Sequence, residues 1–201
     1  MAKITQLSWQ KFNKGFKQKK MAVIIEHKED MSSNFEGTVI DIETIGEFDN
    51  RYNDSRRYKD IQLVILGFIN KYALHILCAK EMRAINELRE RTGKIIDSLE
   101  RPFYAFNCNF ERGVLFCELG EEIDFDGELQ EARESKAKAI RHLGIPNYDD
   151  PFYDRGLWCM NAWHNGEFDA AIAHNRACLL KERDILIKRG FRRPDELKFV
   201  K

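Results

Sequence analysis

The sequence predicts an α/β fold built on a sheet of mixed strand direction. Three observations lead there. β-branched apolar runs of strand length stand first, at 37–46, 61–70 and 72–80; helical periodicity then dominates to residue 190; and one further apolar run, FYAFN at 103–107, falls among the helices. At 201 residues the chain suits one domain, 37–190, with a basic N-terminal extension (1–36) and a basic C-terminal tail (191–201).

Taken in order, residues 1–36 carry Trp9, Phe12 and Phe16 near helical spacing among lysines, the pattern of a short basic amphipathic helix. Such a stripe either packs on the body or stacks on single-stranded nucleic acid. AVIIE at 22–26 reads as an edge strand. GTVIDIETIG (37–46) follows as a buried strand, on which Asp41 and Glu43 point to one side and Ile40 and Ile42 to the other. Two carboxylates on one face of a buried strand are costly to desolvate, so either a hard divalent cation sits between them or the strand has frayed into solvent by Asp41.

Residues 47–60 form a charged loop, and 61–70 with 72–80 make an antiparallel hairpin beside the first strand. Apolar residues at 82, 85, 88, 95, 96 and 99 predict a helix over 81–99, with an interruption at Gly93; Pro102 closes it and FYAFN makes a short strand. FERGVLFCELG (110–120) is a helix capped by Gly120. Residues 122–130 are a loop or a short strand, 132–145 a surface helix, and 146–166 an aperiodic, aromatic loop or lid. The strongest helical pattern, 167–190, ends at Gly190.

Composition narrows the function classes. Five scattered cysteines without a CxxC exclude a disulfide framework and a zinc knuckle. No apolar run approaches membrane-spanning length, and the lysine-rich start carries no apolar signal region, so the expectation is a soluble, cytoplasmic protein. The net charge is zero but uneven. Residues 1–28 hold seven Lys against one Glu, and 181–201 hold eight basic against four acidic residues; subtracting these from 33 of each leaves 18 basic and 28 acidic between them. Basic flanks around an acidic centre fit a nuclease, and fit ordinary solvated surface equally well.

Two later motifs join the acidic strand. NCNFERGVL sets Asn107, Phe110 and Glu111 where a strand passes into a helix, and AIAHNRACLLKE sets His174 and Cys178 four apart on one helical face. This order resembles the DEDD superfamily of 3′–5′ exonucleases, which have a ribonuclease-H-like fold. They carry an acid-x-acid strand, an Asn-x-x-Phe-Asp motif, and a helix with Tyr or His four or five residues before a last Asp. The likeness is to the branch related to the proofreading domain of family-B DNA polymerases, whose third motif starts His-Asn, and it spans about residues 37–190.

The resemblance implies that Asp41, Glu43 and Glu111 bind magnesium or manganese and take part in catalysis, with His174 as general base. It implies that Thr44, Ile45, Asn107 and Phe110 hold the terminal nucleotide of a single-stranded 3′ end, DNA or RNA. Two positions depart from the pattern. Glu111 replaces an Asp and lengthens the arm, and Cys178 replaces the final Asp, exchanging a hard oxygen for a soft sulfur. Glu182, one turn further on, is a substitute ligand. Two functional readings follow: a metal-dependent exonuclease, or a nucleic-acid-binding or assembly module that kept the fold and lost the chemistry.

Overall fold

In the computed structural model, which describes residues 24–132 and 134–200, the acidic strand is β2 (Thr38–Gly46) near the middle of a six-stranded open sheet. Its companions are β1 (Ile24–Asp30), β3 (Ile61–Ile69), β4 (Ala73–Ala79), β5 (Phe103–Ala105) and β6 (Gly127–Glu128). The spatial order is β1-β4-β3-β2-β5-β6. The first four are antiparallel to their neighbours, and β5 and β6 join in parallel. With helices on its flanks this is the mixed α/β sheet that the sequence predicts.

The helices are α1 (Ile85–Ile96), α2 (Cys108–Leu119), α3 (Lys136–Leu143), α4 (Gly156–His164) and α5 (Phe168–Arg189). Leu63 to Ile69 are buried without a break, so β3 is covered on both faces. α5 covers one face, where Gly67 leaves room for Asn175 and Leu179; α1 and α2 pack together on the other.

Several elements differ from expectation. The edge strand expected at 22–26 is β1 at Ile24–Asp30; it pairs with β4 and so brings part of the expected extension into the sheet. The helix over 81–99 runs through Gly93 unbroken, after a 3-10 turn at Met82–Ala84. Residues 122–130 contain the two-residue strand β6. The expected lid divides into a turn region and α4, which carries apolar side chains on both its buried and exposed sides (Trp163 inside, Leu157 and Trp158 outside), so no helical period shows. The C-terminal tail folds back: Arg192 and Glu128 exchange backbone hydrogen bonds, and Val200 donates its N–H to Ser55 Oγ. The stripe of Trp9, Phe12 and Phe16 lies outside the described residues. Among the described residues no helix is long and apolar enough to cross a membrane.

Candidate active site

β2 brings its acids to α5 through a glycine. Asp41 pairs with Gly67 across the sheet, and in the absence of a side chain there Asn175 lies against the strand. A Cβ at Gly67 would stand 2.0 Å from Asn175 Oδ1. From that seat Asn175 Nδ2 donates to Asp41 Oδ2 at 2.7 Å and to the Asp41 carbonyl at 3.2 Å. Beyond Glu43 a bulge shifts the register against β3, re-aiming the side chains that follow. Thr44 faces a cleft of about 760 Å³, while Ile45 turns into the core, only 5% exposed. Ile45 therefore does not stand where a nucleotide would touch its side chain.

The other predicted residues meet in that cleft. Asp41, Glu43 and Glu111 line it, as do Asn107 and Phe110 at the start of α2, and His174 and Cys178 on α5. Glu182 is fully buried behind them and does not line it. Phe48, which sequence reasoning passed over in a charged loop, stands at the rim in edge contact with Phe110 and Tyr58.

A second residue that sequence reasoning missed is Lys136, the first residue of α3. Its Nζ lies 3.1 Å from Asp41 Oδ1 and 2.6 Å from Glu182 Oε1. Burial opposes its charge, but Asp41, Cys178 and Glu182 outweigh that and hold the ammonium well above the ordinary lysine range. The available signal was weak: a lysine directly after the Ser135 N-cap, where a positive charge opposes the helix dipole. Glu111 has no such cation. Its Oε2 is buried without a hydrogen-bond partner, and burial, then the charges of Glu182 and Asp41, push its carboxyl well up. Glu43 is raised to about 7, chiefly by burial, with His174 opposing and Asp41 reinforcing.

His174 is held from behind. Its Nδ1 is 2.7 Å from Asp150 Oδ1, and Asp150 also accepts from Lys181 Nζ at 2.7 Å and from the backbone N–H groups of Phe152 and Asp154. On its cleft side, Nε2 lies 3.6 Å from Glu43 Oε1 and 3.8 Å from Cys178 Sγ. Burial would discharge the imidazole, yet Cys178, Glu43 and the Asp150 bond raise it to about 11. His174 thus rests as an imidazolium, and it becomes a base only when something other than its own charge balances Glu43.

Among the described residues, two groups of three metal-type donors lie within 4.8 Å of one another: Glu43–His174–Cys178 and Asp150–Asp154–Cys178. In the second, the Lys181 ammonium already binds both carboxylates. The expected trio of Asp41, Glu43 and Glu111 shares the cleft but is not a group of that tightness.

No family model, no curated protein and no solved structure matches the chain. The exonuclease resemblance therefore rests on the three motifs. The residues fit one divalent ion better than two. Asp41 Oδ1 and Glu182 Oε1 lie at ion-pair distance from an ammonium and Asp41 Oδ2 accepts from Asn175; Glu182 has no hydrogen-bond partner but does not line the cleft, whereas Glu111 Oε2 and the cleft side of Glu43 remain there as oxygen donors.

Proposed function

We propose that the cleft hydrolyses phosphodiester bonds at the 3′ end of single-stranded DNA or RNA with the aid of a divalent ion, magnesium or manganese. The observation that carries this reading is an imbalance of buried charge. Asp41, Glu43, Glu111 and Glu182 lie together against one ammonium, Lys136, and one imidazolium, His174. Burial and mutual repulsion push the carboxyls of Glu43, Glu111 and Glu182 up, a cost that a bound divalent ion would relieve. Glu111 Oε2, buried and partnerless at the cleft, is the free oxygen such an ion would take.

Glu43 and Glu111 would hold the ion, which supplies a Lewis acid and an activated water. Lys136 presents positive charge to the phosphate. Asp150 orients His174 through Nδ1 and leaves Nε2 toward the reacting water once Glu43's charge is met elsewhere. Thr44 and Asn107 offer polar contacts to the terminal sugar, and Phe110 with Phe48 offers a stacking wall to its base.

One feature favours the non-catalytic reading instead. Cys178, where a hard ligand would serve, is a soft, buried thiol raised to about 11 by burial, with Lys136 and His174 opposing. The two readings separate on 5′-labelled single-stranded DNA and RNA incubated with manganese, magnesium or a chelator. Hydrolysis predicts a ladder shortening from the 3′ end, lost with chelator and in Glu43→Gln and Glu111→Gln, and faster in Cys178→Asp. Binding without shortening, in the protein and in Cys178→Asp alike, refutes the nuclease.

A further inference from the structure

We propose that the ammonium of Lys136 is a resident cation, standing where a second divalent ion would bridge Asp41 and Glu182, so that the cleft takes a single ion. The inference rests on the reading of the cleft as cation-dependent, but its own observations are geometric. Nζ lies between two carboxylates from different elements, at 3.1 Å from β2's Asp41 and 2.6 Å from α5's Glu182. These are ammonium–carboxylate distances, longer than the ~2.0–2.1 Å of magnesium to oxygen. The position cannot hold both cations, since a divalent ion bound to the same two oxygens would lie within van der Waals contact of Nζ.

Local structure does not explain the lysine. It stands at the first residue of α3, whose first turn carries no acid, so its charge opposes the helix dipole. Its side chain is 18% exposed and reaches inward over the Phe106 ring, with Nζ 5.5 Å from the ring centre. What chiefly offsets the dipole and the desolvation is the pair of acidic side chains. Without that ammonium Asp41 and Glu182 would face one another in a buried site, which is strongly unfavourable. Glu182 makes the same point from its side. It is fully buried, and Lys136 is its ion-pair partner.

The consequence is a site with one exchangeable charge and one fixed charge. A tethered ammonium needs no free-ion concentration to be present, and it carries a single positive charge where an ion would carry two. Hydrolysis by such a site depends on the first power of free manganese.

Manganese(II) titrations followed by native mass spectrometry and by electron paramagnetic resonance test this. The wild-type chain should bind one ion, Lys136→Met two, and Lys136→Arg one again. Lys136→Met combined with Glu182→Gln should return to one, which ties the added ion to the vacated bridge. In chelator, Lys136→Met should melt below wild type, and manganese should restore more of its melting temperature than it adds to wild type. Should Lys136→Met fail to fold even with manganese, Lys136→Gln takes its place, because its amide still donates to Asp41 without a charge. Equal ion counts in the wild type and in the uncharged variant overturn the proposal. A count of none in wild type and one in the variant upholds the resident cation while removing the one-ion reading of the cleft.

Discussion

Asp150→Asn is the substitution on which the geometry speaks most directly. The carboxylate is fully buried and accepts four hydrogen bonds, two on each oxygen: His174 Nδ1 and Phe152 N–H on Oδ1, Lys181 Nζ and Asp154 N–H on Oδ2. An asparagine fits the space but has only one accepting oxygen. Either orientation of its amide points two N–H groups at two donors, so at least two bonds are lost, one of them charge-assisted. Breaking one side of a buried ion pair costs about 3–5 kcal/mol, and for a chain of this size that is a fall in Tm on the order of 10 °C.

The pH dependence has a definite sign. Burial raises the Asp150 carboxyl, but the bonds from His174 and Lys181 overcome that and hold it far below 3.8, so its contribution is full above that value and is lost on acidification. His174 runs the other way. Its stabilisation is full below 6.5 and is lost as the pH climbs toward about 11. The gap between wild type and Asp150→Asn should therefore be widest near about pH 5.5 and narrow in both directions. Urea unfolding across pH measures it, and NMR titration of His174 in the variant should show a lower pKa. A loss below about 1 kcal/mol at that pH, or no coupling with Lys181→Met in a double-mutant cycle, refutes the buried relay.

Two further predictions concern how α5 is seated. Gly67→Ala should cost about 3 kcal/mol, from overpacking and from the displaced Asn175–Asp41 bond, and less in an Asn175→Ala background, where only the 2.9 Å approach to Leu179 Cδ1 remains; equal costs in both would place the strain elsewhere. Glu29, which ties β1 to Arg176 of α5, is lowered to about 2, first by the Arg176 bond, so its stabilisation is present above 4.5 and lost as the pH falls through about 2. At about a quarter to a third exposed, the pair is worth about 1 kcal/mol after screening; Glu29→Gln should lose that at neutral pH and next to nothing below pH 2, as read by thermal melts.

The parts of the fold legible in the sequence are those where one physical signal acts alone. The runs at 37–46, 61–70 and 72–80 could be read because strands buried on both faces are apolar throughout, and the cap at Gly120 is a glycine that the chain needs at φ of +80°. α4 was hidden because apolar residues lie on both its sides, and β6 because two residues carry no period at all. Register was legible too, so that Asp41 and Glu43 reach one cleft as their alternation requires. The bulge after Glu43 was not, and it alone sends Thr44 outward and Ile45 into the core.

The candidate site shows a different limit. A motif fixes which acids share a strand end, but not which charges balance them, because the counter-charges arrive from elements with no motif. Asp150 comes from a turn region with positive φ at Tyr148, Asp149, Tyr153 and Asp154, and Lys136 from a surface helix that reads as solvated. Both act on residues the sequence did single out. Asp150 and Glu43 keep a proton on His174, and Lys136 fills the Asp41–Glu182 bridge. The same acid-x-acid strand and His-Asn helix are thus compatible with very different chemistry. On the proposed reading, which chemistry the cleft can run is set by one lysine and one aspartate placed 95 and 109 residues after Asp41.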